Sequence, residues 1–377
     1  MVTVGVEEEY LLLDAESGSP VSRWEEVRAA AVRQPALLNG EVERELLQAQ
    51  VEVATPVCGS IDEVGDHLRR LRGALHLAAA ETGCRIAACG AAPFLGPATV
   101  TDEPRYRTML DDAARLVDEM MINGMHVHVA VPDRRAAIAA LNRIRRWLPV
   151  LVALGSNSPY WDGSETGFAS WRTVVFGRWP VSGPPPVFAG PEDYDHRTAA
   201  LLRTGVIRDR GQIYWQARPS ERYPTLEVRA LDVQLLPEDA VTLAGLIRSL
   251  VATALREADD GTPFTPEPSE LLAAANWHAA RHGLNGELVD PVGGGLRPAA
   301  EVVTTLLEHL TPALKEAGDL DRVEGGVRRL LTDGSGEQRQ RRALDGGGPG
   351  ALLDLLGAGG GGLALPPGAE RETIATG

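Results

Sequence analysis

The chain has 377 residues, 44% hydrophobic and 24% charged, a globular composition with enough apolar side chains for one large core or two modest ones. Its formal net charge of -15 argues against nucleic acid, which basic surfaces hold, and leaves phosphate esters as ligands only where bound cations mediate the contact. No apolar run approaches the ~18 residues of a membrane helix, and the first residues enter a strand without a basic and then apolar leader, so no membrane association and a cytoplasmic location are expected.

Residues 2–13 read VTVGVEEEYLLL, β-formers and aliphatics interrupted by three glutamates. Strand alternation puts Glu7 and Glu9 on one face and Glu8 on the other, with Val4, Val6 and Tyr10. A second strand, 50–54, sets Glu52 and Gln50 against Val51 and Val53, with Glu45 a short way upstream. Residues 61–83 repeat apolar side chains at helical spacing and stop at Gly83. Strands follow at 85–91 and 125–131; in the second, His126 and His128 share a face against Val127 and Val129. The spacing predicts a helix over 134–154.

Residues 155–190 are rich in Gly, Pro and Ser without sustained period, but Trp161, Phe168, Trp171, Phe176, Trp179 and Phe188 argue for an ordered lid. Strands are expected at 213–218 and 225–233, the latter with Glu227 and Arg229 on one face. A helix over 237–257 opens on Pro237, Glu238 and Asp239. A loop spans 258–268 and a helical region 269–334. The Gly/Ala-rich residues 335–377 are expected as a flexible, dispensable tail behind a single catalytic domain, 1–334. Cys58, Cys84 and Cys89 are odd in number, lack CxxC spacing and are expected as reduced packing residues.

Mixed strands and long helices indicate an α+β fold with a mainly antiparallel sheet. A half-exposed sheet explains any one polar strand face. Four strands whose polar faces are almost wholly carboxylate and imidazole need more. Same-face neighbours lie ~7 Å apart, where two carboxylates repel by about 2 kcal/mol at an effective dielectric near 20. Converging carboxylates therefore call for cations, and oxygen-rich sites suit Mg²⁺, Mn²⁺ or Ca²⁺. Neither GxxxxGK[ST] nor GxGxxG after a strand is present, so bound ions would have to hold any nucleotide phosphates.

In order and approximate spacing, GVEEEYLLLD, VEVATPV, GMHVHVAVPD, SNSPYWDGSETGFASWR, FGRWPVSGPPP, RPSERYPTLEVRALDV and NWHAARHGLNGELVDP resemble the glutamate-cysteine ligase type 2 family of bacterial carboxylate-amine ligases. The resemblance spans roughly residues 1–330. Ile122, Asn123 and Met125 depart from it, where the family has Cys and a small or hydroxyl residue. It implies a curved sheet like the catalytic sheet of glutamine synthetase, helices on its outer face, and a cleft for ATP, two or three Mg²⁺ ions (Mn²⁺ as a substitute) and an amino acid. It implies amide formation through an acyl phosphate, on the side-chain carboxylate of glutamate, with cysteine or another amine as acceptor. Glu7, Glu9, Glu45, Glu52 and Glu227 carry over as metal ligands, His126 as a metal or phosphate histidine with His128 beside it, and Arg229 as the arginine on the transferring phosphate.

Arg172 and Arg178 in the lid, and Arg218 with Arg222 near the Glu227 strand, are candidates for substrate carboxylate or ATP phosphate. Trp171 and Trp179 could stack on adenine. His278 and His282 sit at i and i+4 without a third ligand nearby and suit a solvated helix face. The competing class is a metal-dependent hydrolase using His126, His128 and the same carboxylates, which would need no nucleotide. Partners are expected to be small molecules (amino acid, amine, ATP), with a homo-oligomer left open.

Overall fold

The computed structural model describes residues 2–38 and 40–357. The main sheet has strands β1 (Val4–Asp14), β2 (Val42–Arg44), β3 (Gln50–Ala54), β4 (Cys84–Ala87), β5 (Gly124–Ala130), β6 (Ala217–Pro219) and β7 (Thr225–Asp232). Their order is β6-β7-β5-β1-β3-β2, with β4 also on β1, and every pairing is antiparallel. The expected α+β architecture is therefore present. Register decides which side chains meet: Glu7 lies opposite His126, Glu9 opposite Glu52, and Glu227 opposite His128. Between Val228 and Leu231 the register shifts, a bulge of the kind that bends a strand and adds twist.

The apolar alternation buries one face. Val4, Val6, Tyr10 and Leu12 of β1, Val51 and Val53 of β3, and Val127 and Val129 of β5 are closed off by helices Ile61–Glu81 and Pro237–Asp259. Each such Val or Leu contributes about 1.5–3 kcal/mol. The first helix starts on Ser60, whose hydroxyl accepts from the Glu63 N–H at 3.2 Å. The three cysteines are buried and unpaired.

Three sequence expectations change. The helix over 134–154 breaks into Arg134–Ile144, a 3₁₀ turn Arg145–Trp147 and Leu148–Leu154, because Pro149 lacks the N–H to continue the ladder. The strand over 213–218 divides at Gln216, where the chain leaves a small parallel pairing with Ser182–Gly183 and joins the main sheet as β6. The expected tail is helical over Gly336–Gly357, with a kink at Gly348 (φ 69°) before Pro349. This helix buries Leu352 and Leu356 against a cluster holding Leu11, Leu13 and Ala87, and Gln340 donates to the Asn157 carbonyl at 2.8 Å. Composition hides it, since glycine lowers helix propensity while leaving the apolar contacts in place. Residues 358–377 of the expected tail lie outside the described residues. Among those described, no helix is long and apolar enough to cross a membrane.

Candidate active site

The sheet face away from the two long helices borders a cavity of about 380 Å³. Glu7 and Glu9 of β1, Glu52 of β3, His126 and His128 of β5, Arg218 of β6, and Glu227 and Arg229 of β7 all reach it. Glu45, just before β3, and Arg172, on helix Trp171–Phe176, complete the set. Arg178 is the exception. It is half-exposed, ion-pairs with Glu119 and does not border the cavity, because it follows the end of the short helix and faces outward. Trp179 lines the cavity and donates to the Met120 sulfur at 3.1 Å; Trp171 does not line it, and neither do His278 and His282.

The segment 155–190 is pinned to the sheet. Asp232, at the end of β7, accepts from the Asn157 N–H at 2.8 Å, the Ser158 hydroxyl at 2.7 Å and the Ser170 hydroxyl at 2.8 Å. The Ser158 oxygen accepts in turn from the Arg172 N–H at 3.0 Å, and Ser170 caps the Trp171–Phe176 helix. This segment thereby forms a wall of the cavity through Arg172, Phe176 and Trp179.

Glu8, on the opposite face, never enters the site. Its carboxylate is fully buried and takes a fork from Arg72 and the hydroxyl proton of Tyr10. Arg72 also donates to the carbonyls of Leu235 and Gln234, each at 3.0 Å. Sequence reading did not single out Arg72; the signal was an arginine among Leu68, Leu71 and Leu75 on the buried side of an amphipathic helix.

Hydrogen bonds and close charged contacts orient the side chains of the cavity-lining face. His126 Nδ1 lies 3.0 Å from Glu7 and Nε2 lies 3.5 Å from Glu9. His128 Nε2 lies 3.3 Å from Glu7, and its Nδ1 lies 2.9 Å from the Thr225 hydroxyl. Arg218 donates to Glu227 at 2.8 Å, and Arg229 donates to the other oxygen of the same carboxylate. Burial opposes the Glu7 charge, yet the two imidazoles outweigh it and hold that carboxyl below the usual range. Glu227 is likewise held low against burial by Arg229 and Arg218. Burial and the Arg229 charge lower His126.

Two sets of donors cluster closely enough to share an ion: Glu7, His126 and Glu227, and Glu9, Glu45 and Glu52, the atoms of each set within 4.8 Å of one another. Removal from water and then the Glu9 charge push the Glu45 carboxyl up to about 7; burial and the Glu7, Glu45 and Glu9 charges push Glu52 well above its ordinary value. That is how carboxylates behave when crowded without a counter-cation. Among the described residues, His126 Nε2 and His128 Nε2 are buried without a hydrogen-bond partner. These residues fit hard divalent cations with oxygen-rich coordination. Glu7, Glu9, Glu52, Glu227 and His126 were legible as strand faces. Tyr106, Met109 and Tyr214, which also line the cavity, sit in stretches where no period marked one face as special.

A profile for the family described as glutamate-cysteine ligase family 2 matches residues 3–358. The chain is 44% identical over 345 residues to a protein of Saccharopolyspora erythraea provisionally named glutamate-cysteine ligase 2-1, covering 91% of this chain and 90% of that one. A Mycolicibacterium vanbaalenii protein, provisionally named glutamate-cysteine ligase 2-2, is 44% identical over 342 residues, 90% of this chain and 93% of that one. Among solved structures, the glutamate-cysteine ligase of Francisella tularensis in complex with AMP superposes with TM-score 0.67 at 14% identity, over 94% of this chain and 87% of that one. A bifunctional glutathione synthetase from Pasteurella multocida gives TM-score 0.67 at 15% identity, over 94% of this chain and 51% of that one. At these identities the structural likeness speaks to the fold.

Proposed function

The chain belongs to glutamate-cysteine ligase family 2, and from that premise we propose that it is an ATP-dependent ligase that activates a carboxylate as an acyl phosphate and transfers the acyl group to an amine. The observation that carries the reading is the convergence of two carboxylate-rich triads and Arg229 on one face of the sheet, within a single cavity. A free carboxylate resists amines because oxide is a poor leaving group. In the first step, the bond from the γ-phosphorus to ADP breaks and one to a carboxylate oxygen forms. In the second, the amine nitrogen bonds to the acyl carbon, the C–O bond to phosphate breaks, inorganic phosphate leaves with the electron pair, and a proton is released.

Two or three Mg²⁺ ions held by Glu7, His126 and Glu227 and by Glu9, Glu45 and Glu52 would neutralise phosphate charge at that point. The protein's own residues supply the rest. Glu7, 3.0 Å from His126 Nδ1, orients that ring, and its Nε2 is buried without a hydrogen-bond partner among the described residues. Arg229, whose Nε has no partner, presents a guanidinium beside His126 where charge builds on a transferring phosphoryl group. Glutamate as the acid and cysteine as the amine remain the first pair to test. Incubating the protein with Mg²⁺, ATP and matched sets of acids and amines should release ADP only when both an acid and an amine are present. Hydrolysis of an amide or ester with Mn²⁺ and no nucleotide would support the hydrolase instead.

A further inference from the structure

The helix Gly336–Gly357 presents two unlike surfaces on either side of its kink at Gly348. Beyond the kink, Leu352 and Leu356 make apolar contacts, which is all that covering a sheet requires. Before it, buried side chains are polar: Glu337 is 0% and Gln340 1% exposed. Burying such groups costs free energy unless each finds a hydrogen-bond partner, so the partners show what the first half of the helix is fitted to. Those partners lie in the stretch 156–168, which leads into the cavity wall. The Glu337 N–H donates to the Ser156 carbonyl at 3.1 Å. The Gln340 amide donates to the Asn157 carbonyl at 2.8 Å and to the Asn157 side-chain oxygen at 2.7 Å. Arg341 donates to the Glu165 carboxylate at 2.7 Å and to the Phe168 carbonyl at 3.0 Å, and an ion pair with Glu337 steadies its guanidinium. Gly336 permits the close approach, because a Cβ there would overlap the Asn157 side chain.

Asp232 grips only the ends of this stretch, at Asn157, Ser158 and Ser170. The loop between them takes Arg341 at Glu165 and Phe168, and Arg281 at the Gly167 carbonyl. Directly after it, the Ala280 carbonyl accepts from the Ala169 and Ser170 N–H groups, each at 2.9 Å, and the chain turns into the helix Trp171–Phe176, whose Arg172 and Phe176 line the cavity. We propose that the first turns of the C-terminal helix set the cavity wall. Gln340 and Arg341 are positioning residues: they touch no part of the cavity and act through Asn157, Glu165 and Phe168 on the placement of Arg172, Phe176 and Trp179. The kink divides the labour, leaving the second half of the helix to cover β1 and β4. In its effect on turnover this inference rests on the ligase reading, and it deepens that reading by adding residues that hold the wall of the site.

The test sets the whole chain beside its Gln340→Met, Arg341→Gln and Arg341→Lys variants. Three measurements are made on each: ADP release across the acid and amine panel, hydrogen exchange of peptides covering 158–176, β1 and β5, and Tm with and without Mg²⁺. Gln340→Met and Arg341→Gln should speed exchange of the amides from Ala169 to Arg172 by about 10-fold or more, while β1 and β5 keep their protection. Their kcat/KM should fall roughly 10- to 100-fold, carried mainly by a raised KM, with the rise in Tm on adding Mg²⁺ retained. Arg341→Lys, which keeps the charge without the fork, should fall between. Exchange that speeds equally in β1 and β5, or a lower Tm with wall exchange and KM both unchanged, would overturn the positioning role and leave the helix a brace, while ADP release still upheld the ligase. Wall exchange that responds as expected with no ADP release from any pair would keep the positioning role and sink the ligase reading.

Discussion

Three adjacent glutamates in β1 have separate physical fates. Glu8 is enclosed with Arg72 and Tyr10, so replacing it by Gln leaves Arg72 short of its counter-charge inside the core. That should lower stability by about 3–5 kcal/mol, read as a fall in Tm, with turnover per folded molecule retained. Glu7→Gln and Glu9→Gln should keep the fold and lose ADP release by ~10²-fold or more. Equal loss of turnover in all three folded variants would contradict the division of faces. Arg229 lines the cavity, already neutralises Glu227 and still has a buried Nε without a partner among the described residues. A planar fork acting only on the transferring phosphate predicts that Arg229→Lys lowers kcat and kcat/KM for ATP together, by ~10²-fold. Near-normal kcat with a raised KM for ATP would make it a ground-state clamp.

At the scale of elements, the helix Gly336–Gly357 is the part that composition misrepresents. It covers Leu11 and Leu13 at the end of β1 with Leu352 and Leu356, and it satisfies the Asn157 carbonyl through Gln340. Removing everything after Asp333 uncovers both leucines and takes one of the two donors from that carbonyl, which keeps the Gly90 N–H at 3.0 Å, a loss of roughly 3–6 kcal/mol from the leucines alone. The shortened chain should melt measurably lower by circular dichroism; an unchanged Tm would restore the view of a dispensable tail. The break at Pro149 and the switch of sheets at Gln216 belong to the same scale. Each was written in the sequence as a local signal, but its outcome depended on which neighbour took the freed backbone groups.

For the molecule as a whole, the crowding of Glu9, Glu45 and Glu52 predicts linkage between cations and stability. An ion that binds only the folded chain stabilises it by RT ln(1 + [L]/Kd), about 2.7 kcal/mol at a hundredfold excess over Kd. Mg²⁺ or Mn²⁺ should therefore raise Tm, EDTA should reverse the rise, and Glu52→Gln should shrink it. A calorimetric Tm indifferent to both ions and to EDTA would remove the basis for the metal-binding reading.

Strand period alone determined which of Glu7, Glu8, Glu9, Glu52, His126, Glu227 and Arg229 share a face, because a period of two follows from the backbone whatever surrounds it. Helical apolar spacing, in agreement with first-turn acids, likewise determined the presence of the long helices over 61–83 and 237–257. Which faces meet is a matter of register and sheet order, set by pairings between residues more than a hundred positions apart, such as Glu7 with His126. Only the tertiary structure could sort Arg172 from Arg178, six residues away in the same aromatic segment. One is drawn into the room left by Gly124, and the other ion-pairs with Glu119 at the surface. Composition and period carry no record of such spaces, since they arise when separate elements pack.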